Sequence, residues 1–437
     1  MTTLIDQMKP EEIKKLIEDN LIIKKEEKDK FGEVFTPPSL INEILDKLPS
    51  EVWSNPELKW LDPANGIGNF PMIIYERLMG GLEKSFPNKS ECSNHILSKM
   101  LYMVEINPKN VIISKDIFGD NANIICADFL NMDLKKETGV DKFDVIVGNP
   151  PFQKEQEGVR TGGKANTKIW HLFIKDAFKI LNPKGFLGFI NPPPWRKPEE
   201  ELWNLMTQQN QLLYLHIFGE KQGRQLFHVS QRVDLYIIEK TPQYKDTIII
   251  DELGNENKID LKQLGFLPNY AFNNIKKITT SEDNGIKVIY DSSTYHTSHI
   301  KSTKSRAGNN NPIMIDSESP IGNFKYPIVH SITQKGIGLW HADKKIYEKH
   351  FGEPKVLLNF NQNQYPINDF EGKYGMSQIT FGIPITSKKE GDDIVRAINS
   401  NEFKEIIKAT KWGVFQTDYR MFKYFKPDFY KYFFIYC

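Results

Sequence analysis

The stretch that most restricts this chain runs from Asp144 to Phe152 and reads Asp-Val-Ile-Val-Gly-Asn-Pro-Pro-Phe. A short apolar run between an acid and a glycine reads as a buried strand of a parallel sheet. Two consecutive prolines remove two backbone donors and fix φ, so the ladder has to stop at Asn149. What remains is a stiff loop at a strand's carboxyl end, where open α/β sheets bind their ligands. It offers an amide side chain, a backbone carbonyl and an aromatic face together, which suits a planar base carrying an exocyclic amine.

Three earlier segments share that layout. Trp60-Leu61-Asp62-Pro63-Ala64-Asn65-Gly66-Ile67-Gly68 is a short strand entering a glycine-containing turn, and a helix leaves it through Pro71, Ile73, Ile74 and Leu78. The two glycines permit a tight turn and close backbone approach to a ligand. Asp62 at the strand's end repels phosphate but pairs with an amino group, and no Lys-Ser or Lys-Thr follows, so a phosphate loop is excluded. The strand Met100 to Val104 ends at Glu105, and Asn107-Pro108 then supplies a helix cap and first position. The strand Asn123 to Ala127 ends at Asp128-Phe129. In a doubly wound sheet an acid after the second strand commonly bonds ribose hydroxyls, and an acid with an aromatic after the third can hold an adenine. Each acid alone is an ordinary surface residue; three at successive strand ends form a pattern.

Composition narrows the setting. A chain of 437 residues exceeds one average domain, so two domains are expected. Hydrophobic residues at 39% and charged residues at 26% suit a soluble globular protein. Cys92, Cys126 and Cys437 are far apart and odd in number, giving no disulfide framework or zinc spacing. With no apolar signal core and no membrane-length apolar run, the expected location is the reducing environment of the cytoplasm. A net charge of +1 gives no global polyanion signature, so any nucleic-acid site has to come from local clustering.

The other segments are plainer. Residues 10–30 alternate apolar and charged positions as in a solvated helix. Phe31-Gly32-Glu33-Val34-Phe35-Thr36-Pro37-Pro38 precedes a helix through residues 39–48 with Ile41, Ile44, Leu45 and Leu48 on one face. Residues 153–168 read as a basic loop, and 167–181 as a helix with a stripe of Ile169, Leu172, Phe173, Ala177, Phe178 and Leu181. A second Asn-Pro-Pro at Asn191 follows the strand over 185–190; it competes for the catalytic role but is read as a strand terminator. Residues 226–238 read as a pair of strands, and Thr241-Pro242 marks a break near 240–245. Beyond it come short strands without a long helix, a basic patch over 299–306, and an Asn- and Gln-rich stretch over 356–374. A helix over 392–407 follows, then an aromatic-basic tail over 411–436. That tail reads as an aromatic core docked on the main domain rather than a nucleic-acid track. The Asn and Gln side chains can read adenine edges or merely shape a loop.

Taken in order, these pieces resemble a gamma-class S-adenosylmethionine-dependent N6-adenine DNA methyltransferase of restriction–modification type. The resemblance rests on Gly32 to Pro38, Asp62 to Phe70 and Asn149 to Phe152, and covers about the first half of the chain. Family members often carry Cys-Gly-Thr-Gly where this chain has Asn65-Gly66-Ile67-Gly68. The resemblance implies a doubly wound, mostly parallel Rossmann-like α/β sheet plus a carboxyl-terminal mixed α+β target recognition domain. Its divisions would be a helical extension (1–30), a catalytic domain (31–243) and a DNA-binding region (244–437). It implies that Thr36 and Asp62 hold the methionine end of S-adenosylmethionine, Glu105 the ribose, and Asp128 with Phe129 the adenine, with Ala64 and Gly66 of the turn also binding the cofactor. Asn149, Pro150 and Phe152 would act on the target base, with Phe227 as a second stacking face. The implied partner is double-stranded DNA, with a separate restriction endonuclease as a further partner and no nuclease fused to this chain.

The alternatives are a protein glutamine N5-methyltransferase, a structured-RNA adenine methyltransferase and an inactive DNA-binding subunit. The first lacks the element at 32–38 and a long carboxyl-terminal half; the last predicts decay of the loop or the acids, and both are intact. Cytosine C5 chemistry needs a cysteine after a proline, and no Pro-Cys occurs.

Overall fold

A computed structural model describes residues 4–7, 12, 15, 36–154, 167–227, 230–301, 312–345, 350–361, 363–413 and 417–434. The helix read over 10–30, most of the 31–38 element, most of the 153–168 loop and the basic patch beyond Lys301 lie outside these residues. The chain divides into two compact units, Met1–Trp195 with Glu201–Lys262, and Arg196–Glu200 with Gln263–Cys437.

The first unit is built on a nine-stranded sheet. Its strands are β1 (Trp60–Asp62), β2 (Leu101–Glu105), β3 (Asn123–Cys126), β4 (Phe143–Gly148), β7 (Leu181–Asn191), β8 (Gln211–Phe218), β9 (Val233–Glu239), β10 (Thr247–Ile250) and β11 (Glu256–Ile259). Two-residue strands β5 (Gln153–Lys154) and β6 (Thr167–Lys168) pair separately, beyond the Asn-Pro-Pro-Phe loop. The order across the sheet is β11-β10-β8-β9-β7-β4-β1-β2-β3. Strands β3, β2, β1, β4 and β7 are mutually parallel, and β9 runs antiparallel between β7 and β8. This is the mostly parallel, doubly wound α/β fold expected from the strand-and-acid pattern. The sheet continues past the Thr241-Pro242 punctuation, because β10 pairs in parallel with β8.

Burial explains the strands. In β4 the side chains of Phe143, Val145, Ile146 and Val147 are fully enclosed. Each is worth about 1.5–3 kcal/mol relative to exposure. Asp144, at the polar start of the strand, accepts from Lys59 N (2.8 Å) and Asn182 Nδ2 (2.7 Å), which ties β4 to its neighbours on both sides. The helix Pro38–Leu45 buries Leu40, Ile41, Ile44 and Leu45, and Leu48 is buried just beyond it. The helix Pro108–Phe118 is capped as expected, Asn107's side chain accepting from Lys109 N with Pro108 at the first position.

Two expectations are corrected. The helix is Trp170–Ile180, and its buried stripe is Trp170, Phe173, Ile174, Ala177 and Phe178; Leu172 is exposed, and Thr167–Lys168 is a strand. The spacing i, i+3, i+4, i+7, i+8 from Trp170 sets that face. The segment read as two strands over 226–238 begins as the end of a helix, Glu220–Phe227, and only its second half is strand.

The second unit is α+β. It holds a five-stranded sheet, a three-stranded sheet, and the helices Phe272–Ile278, Lys388–Asn399 and Asn401–Ala409. The helix expected over 392–407 is two helices, because Ser400 adopts an extended conformation and caps the second through Phe403 N. The aromatic tail is core of this unit itself: Trp412, Phe422, Phe425 and Phe429 pack with Phe381, Phe403 and Phe266. Among the described residues no helix is long and apolar enough to cross a membrane.

Candidate active site

Strand order places the candidate residues. The sequence order β1, β2, β3, β4 becomes the spatial order β4-β1-β2-β3. Asn149, Asp62, Glu105 and the Asp128 turn therefore follow the carboxyl ends of four adjacent parallel strands. The connections leave β1 and β4 in opposite directions, which is where doubly wound sheets open a crevice.

At the end of β1, Asp62 is 1% exposed and accepts from Ala64 N at 3.1 Å. Burial pushes its pKa up to about 8; the Ala64 N–H opposes the rise and the Glu105 charge adds to it. An acid so placed is strongly biased towards a cationic partner. Gly148 on β4 faces it: a Cβ there would stand 2.7 Å from Asp62 Oδ1. The strand glycine is thus a steric requirement of the acid. The turn that follows has Gly66 at φ +59°, with nothing within 4 Å of where a Cβ would be, and Gly68 at φ +103°, where a Cβ would strike the Phe118 ring. Gly66 faces open space beside the acids, and Gly68 packs against the helix.

Glu105, 5% exposed, grips the same turn. Its Oε2 accepts from Gly66 N (2.9 Å) and its Oε1 from Asn107 N (2.8 Å) and Asn110 Nδ2 (3.5 Å). Asn65 Nδ2 donates to Gly66 O (3.1 Å) and to buried Ser114 Oγ (3.1 Å). The Gly66 peptide is held at both ends, its N–H by Glu105 and its carbonyl by Asn65. In the sequence Asn107 is legible only as a helix cap, and nothing marks Asn110, Ser114 or the Asn65 side chain. The trace of Asn110 and Ser114 was polar residues on the inward face of the helix after β2.

Asp128, partly buried, accepts from Leu130 N (3.1 Å) and Asn131 Nδ2 (2.8 Å), and Lys154 Nζ lies 3.6 Å from its Oδ2. The ring of Phe129 is stacked on Phe173, centroids 5.4 Å apart at 16°.

At the Asn-Pro-Pro-Phe loop, Asn149 Nδ2 donates to Thr36 Oγ1 at 3.0 Å across 113 residues of sequence. The donor half of the amide meets Thr36, and the carbonyl half is the one whose chemistry can accept a hydrogen from an amine. Thr36 is buried, and its hydroxyl lies against the asparagine. The ring of Phe152 is 6% exposed. Phe227 ends the helix Glu220–Phe227, 1% exposed and edge-on to Phe218 with centroids 6.2 Å apart, so its ring has no open face in this conformation.

The second Asn-Pro-Pro is different. Asn191 Nδ2 is turned back onto Pro192 O (2.9 Å), and its Oδ1 accepts from Tyr236 OH (2.6 Å), all buried.

A sequence model of the Eco57I restriction-modification methylase family matches residues 82–223, the segment from just past the helix Asn69–Gly81 into the helix Glu220–Phe227. An uncharacterized adenine-specific methylase of Mycoplasma pneumoniae is 30% identical over 244 residues, covering 39% of this chain and 57% of that protein. The type II methyltransferase M.BstVI of Geobacillus stearothermophilus is 26% identical over 246 residues, 50% of this chain and 43% of its own length. Among solved structures, the DrdV–DNA complex is similar with a TM-score of 0.46 at 12% identity, over 93% of this chain and 57% of that one. The chain spans about half the length of the curated relatives it matches. At the level of family, the likeness is to adenine and DNA modification methylases of restriction–modification type.

Proposed function

We propose that the chain is an S-adenosylmethionine-dependent DNA methyltransferase of the gamma class that modifies the N6 amine of an adenine flipped out of duplex DNA. One observation carries the reading. Asn149, whose amide donates to Thr36, follows the end of β4, which heads the row β4-β1-β2-β3 whose other strands end in Asp62, Glu105 and the Asp128–Phe129 turn.

The residues fit the cofactor. A buried acid whose pKa is raised suits the methionine ammonium, the Glu105 carboxylate at the glycine turn suits ribose hydroxyls, and Asp128 with Phe129 suits an adenine amine and ring. The open space beside Gly66 gives room for close backbone approach. Bound there, S-adenosylmethionine supplies an electrophilic methyl group on a sulfonium centre.

The chain's own part is positioning. An adenine N6 lone pair is delocalised into the ring and is a weak nucleophile. Asn149 Oδ1 and Pro150 O accept its two hydrogens, which turns the nitrogen tetrahedral and frees the lone pair. Stabilisation by preoriented acceptors needs no covalent intermediate and no base of unusual pKa. Phe152 provides the aromatic wall for a base that has left the stack; at 6% exposure its ring has to open towards the base. The second unit supplies contacts to the duplex.

The test is transfer of tritiated methyl groups from the cofactor to unmethylated duplex DNA. Label on DNA that vanishes in Asn149→Ala supports the proposal. Equal labelling by the variant would sink the mechanism, and label only on a protein release factor would make the chain a glutamine methyltransferase.

A further inference from the structure

Part of the Asn- and Gln-rich stretch over 356–374 is turned inward. Asn359 Nδ2 donates to Ile332 O (2.6 Å), Gln364 Nε2 to Asn359 O (3.0 Å), and both side chains are buried. A different element of the second unit presents itself. Strands Tyr326–Thr333 and Gly336–Ala342 form a hairpin whose base alone is flanked by other strands. Met314–Ile315 pairs with His341 and Ala342, and Gly375–Met376 with Ile328 and Val329. From Ser331 to Gly338 neither edge carries a further strand among the described residues, so the outer half is a two-stranded ribbon.

The ribbon has two unlike faces. Ile332, Ile337 and Leu339 pack with Leu357 and Met376 on one. The other carries Ser331, Thr333, Gly336 and Gly338, small enough for another backbone to approach. Ser331 Oγ lies over Gly338, where a Cβ would be 2.2 Å away. The base is stiffened by His330, which sits at a β-bulge with its ring flat on Trp340, centroids 3.3 Å apart at 15°. A bulge there adds twist and aims the ribbon. The tip is preset as well: Thr333 Oγ1 accepts from Lys335 N (3.2 Å) and donates to Gly336 O (3.4 Å), and Gly336 takes φ +118°. Gln334 and Lys335 form the two-residue turn and are exposed.

Charge selects the occupant. Between Glu318 and Asp343 there is no acidic residue, whereas the chain as a whole has 56 in 437, and Lys325 and Lys335 lie within that span. A peptide strand adding to the ribbon's edge would need no such bias, but a polyanion does. A two-stranded ribbon fits the major groove, which is about 12 Å wide.

We propose that the hairpin Tyr326–Ala342 enters the major groove of duplex DNA, with Lys335 on a phosphate and the Gln334 amide on a base edge. This rests on the DNA reading above. A glutamine offers the donor and acceptor that an adenine's groove edge matches, and the ribbon's unpaired N–H groups suit phosphate oxygens.

The full chain carrying Lys335→Ala, Lys335→Glu or Gln334→Ala tests it, with duplex binding followed by anisotropy across a salt series and methylated sites mapped by sequencing. Lys335→Ala should lower the slope of log affinity against log salt by about one and raise KM for DNA about threefold to tenfold. Lys335→Glu should do more, with cofactor affinity, kcat and unfolding midpoint unchanged. Gln334→Ala should relax the methylation map at one base pair. An unchanged salt slope together with an unchanged map overturns the ribbon, even if transfer to DNA is vigorous. Salt-dependent DNA binding that Lys335→Ala weakens, in a chain that transfers no methyl group, would instead keep the ribbon and overturn the reaction.

Discussion

Two adjacent parallel strands of one sheet, β4 and β7, end in the same tripeptide, Asn-Pro-Pro, yet the asparagines are in opposite situations. Asn149 is anchored through its donor by a residue from far away in the chain, beside three acids. Asn191 is closed on both sides, by Pro192 O and Tyr236 OH, and Tyr236 is itself kept protonated by complete burial and by the nearby Asp234 charge. A proline-stiffened asparagine is thus a neutral device; the partners of its amide separate the strand terminator from the residue proposed to handle the substrate. Two measurements per variant, methyl transfer and stability, separate the loops.

The largest contrast is expected from deleting each amide. Asn149→Ala should cut single-turnover transfer about 10³-fold, the scale of losing a preoriented polar contact to the reacting group, with the denaturation midpoint almost unmoved. Asn191→Ala should keep transfer within a few-fold but lose about 1–3 kcal/mol in denaturant unfolding, because Tyr236 OH is left buried without its acceptor. An Asn191→Ala enzyme as dead as Asn149→Ala would erase the distinction.

Next come the strand glycines just before each loop. Gly148→Ala puts a methyl group against Asp62 Oδ1 and should weaken cofactor binding more than tenfold in calorimetry. Gly188→Ala meets the far end of Ile237 at 2.6 Å, which can turn away, so a stability cost of about 1–3 kcal/mol with unchanged cofactor binding is expected.

A third contrast is pH. Asp62 titrates near 8 when folded against about 3.9 unfolded. The folded chain therefore holds a proton between those values that the unfolded chain lacks, and stability from this group falls as pH rises through that window. A bound ammonium favours the ionised carboxylate, so cofactor affinity should climb by up to about tenfold per unit until about pH 8, then level off. Binding titrations from pH 6 to 9 should show the climb in the parent and none in Asp62→Asn. The Asn191 loop has no counterpart in this range, since Tyr236 stays neutral throughout.

The smallest effects should come from the two hydroxyls that touch the asparagines. Thr36→Val frees the Asn149 amide to rotate, and kcat should fall about tenfold at unchanged cofactor affinity. Tyr236→Phe should cost about 1 kcal/mol of stability and leave kcat alone.

The sheet was legible because burial writes itself into composition: β1, β2 and β4 are runs of enclosed apolar residues, and each acid stands where the run stops. The helix Glu220–Phe227 was not, since a glycine sits in its middle and only Gly223 and Phe227 are buried, too little apolar surface to show a period. Leu172 misled for a related reason: counted from Ile169 it joins a stripe, and counted from Trp170 it leaves one. In the site, the three acids were visible, while the partners that fix them were not. Asn110 and Ser114 look like any polar helix residue, and nothing local reveals that Gly148 is small because Asp62 needs the space. The second unit hid its polar chemistry most thoroughly, with Asn359 and Gln364 turned inward to tie down their own backbone.

The bond from Asn149 to Thr36 has a further consequence for how the molecule comes into being. It closes a loop of more than a hundred residues, and β1 meets β4 only after β2 and β3 have been made in between. Closing so long a loop costs chain entropy that no local contact returns beforehand. A chain emerging from the ribosome can build the glycine turn and its Glu105 clasp early, but the asparagine reaches its anchor only once β4 has slotted in beside β1. Refolding followed by cofactor binding and by transfer should accordingly show two clocks, the first running ahead of the second.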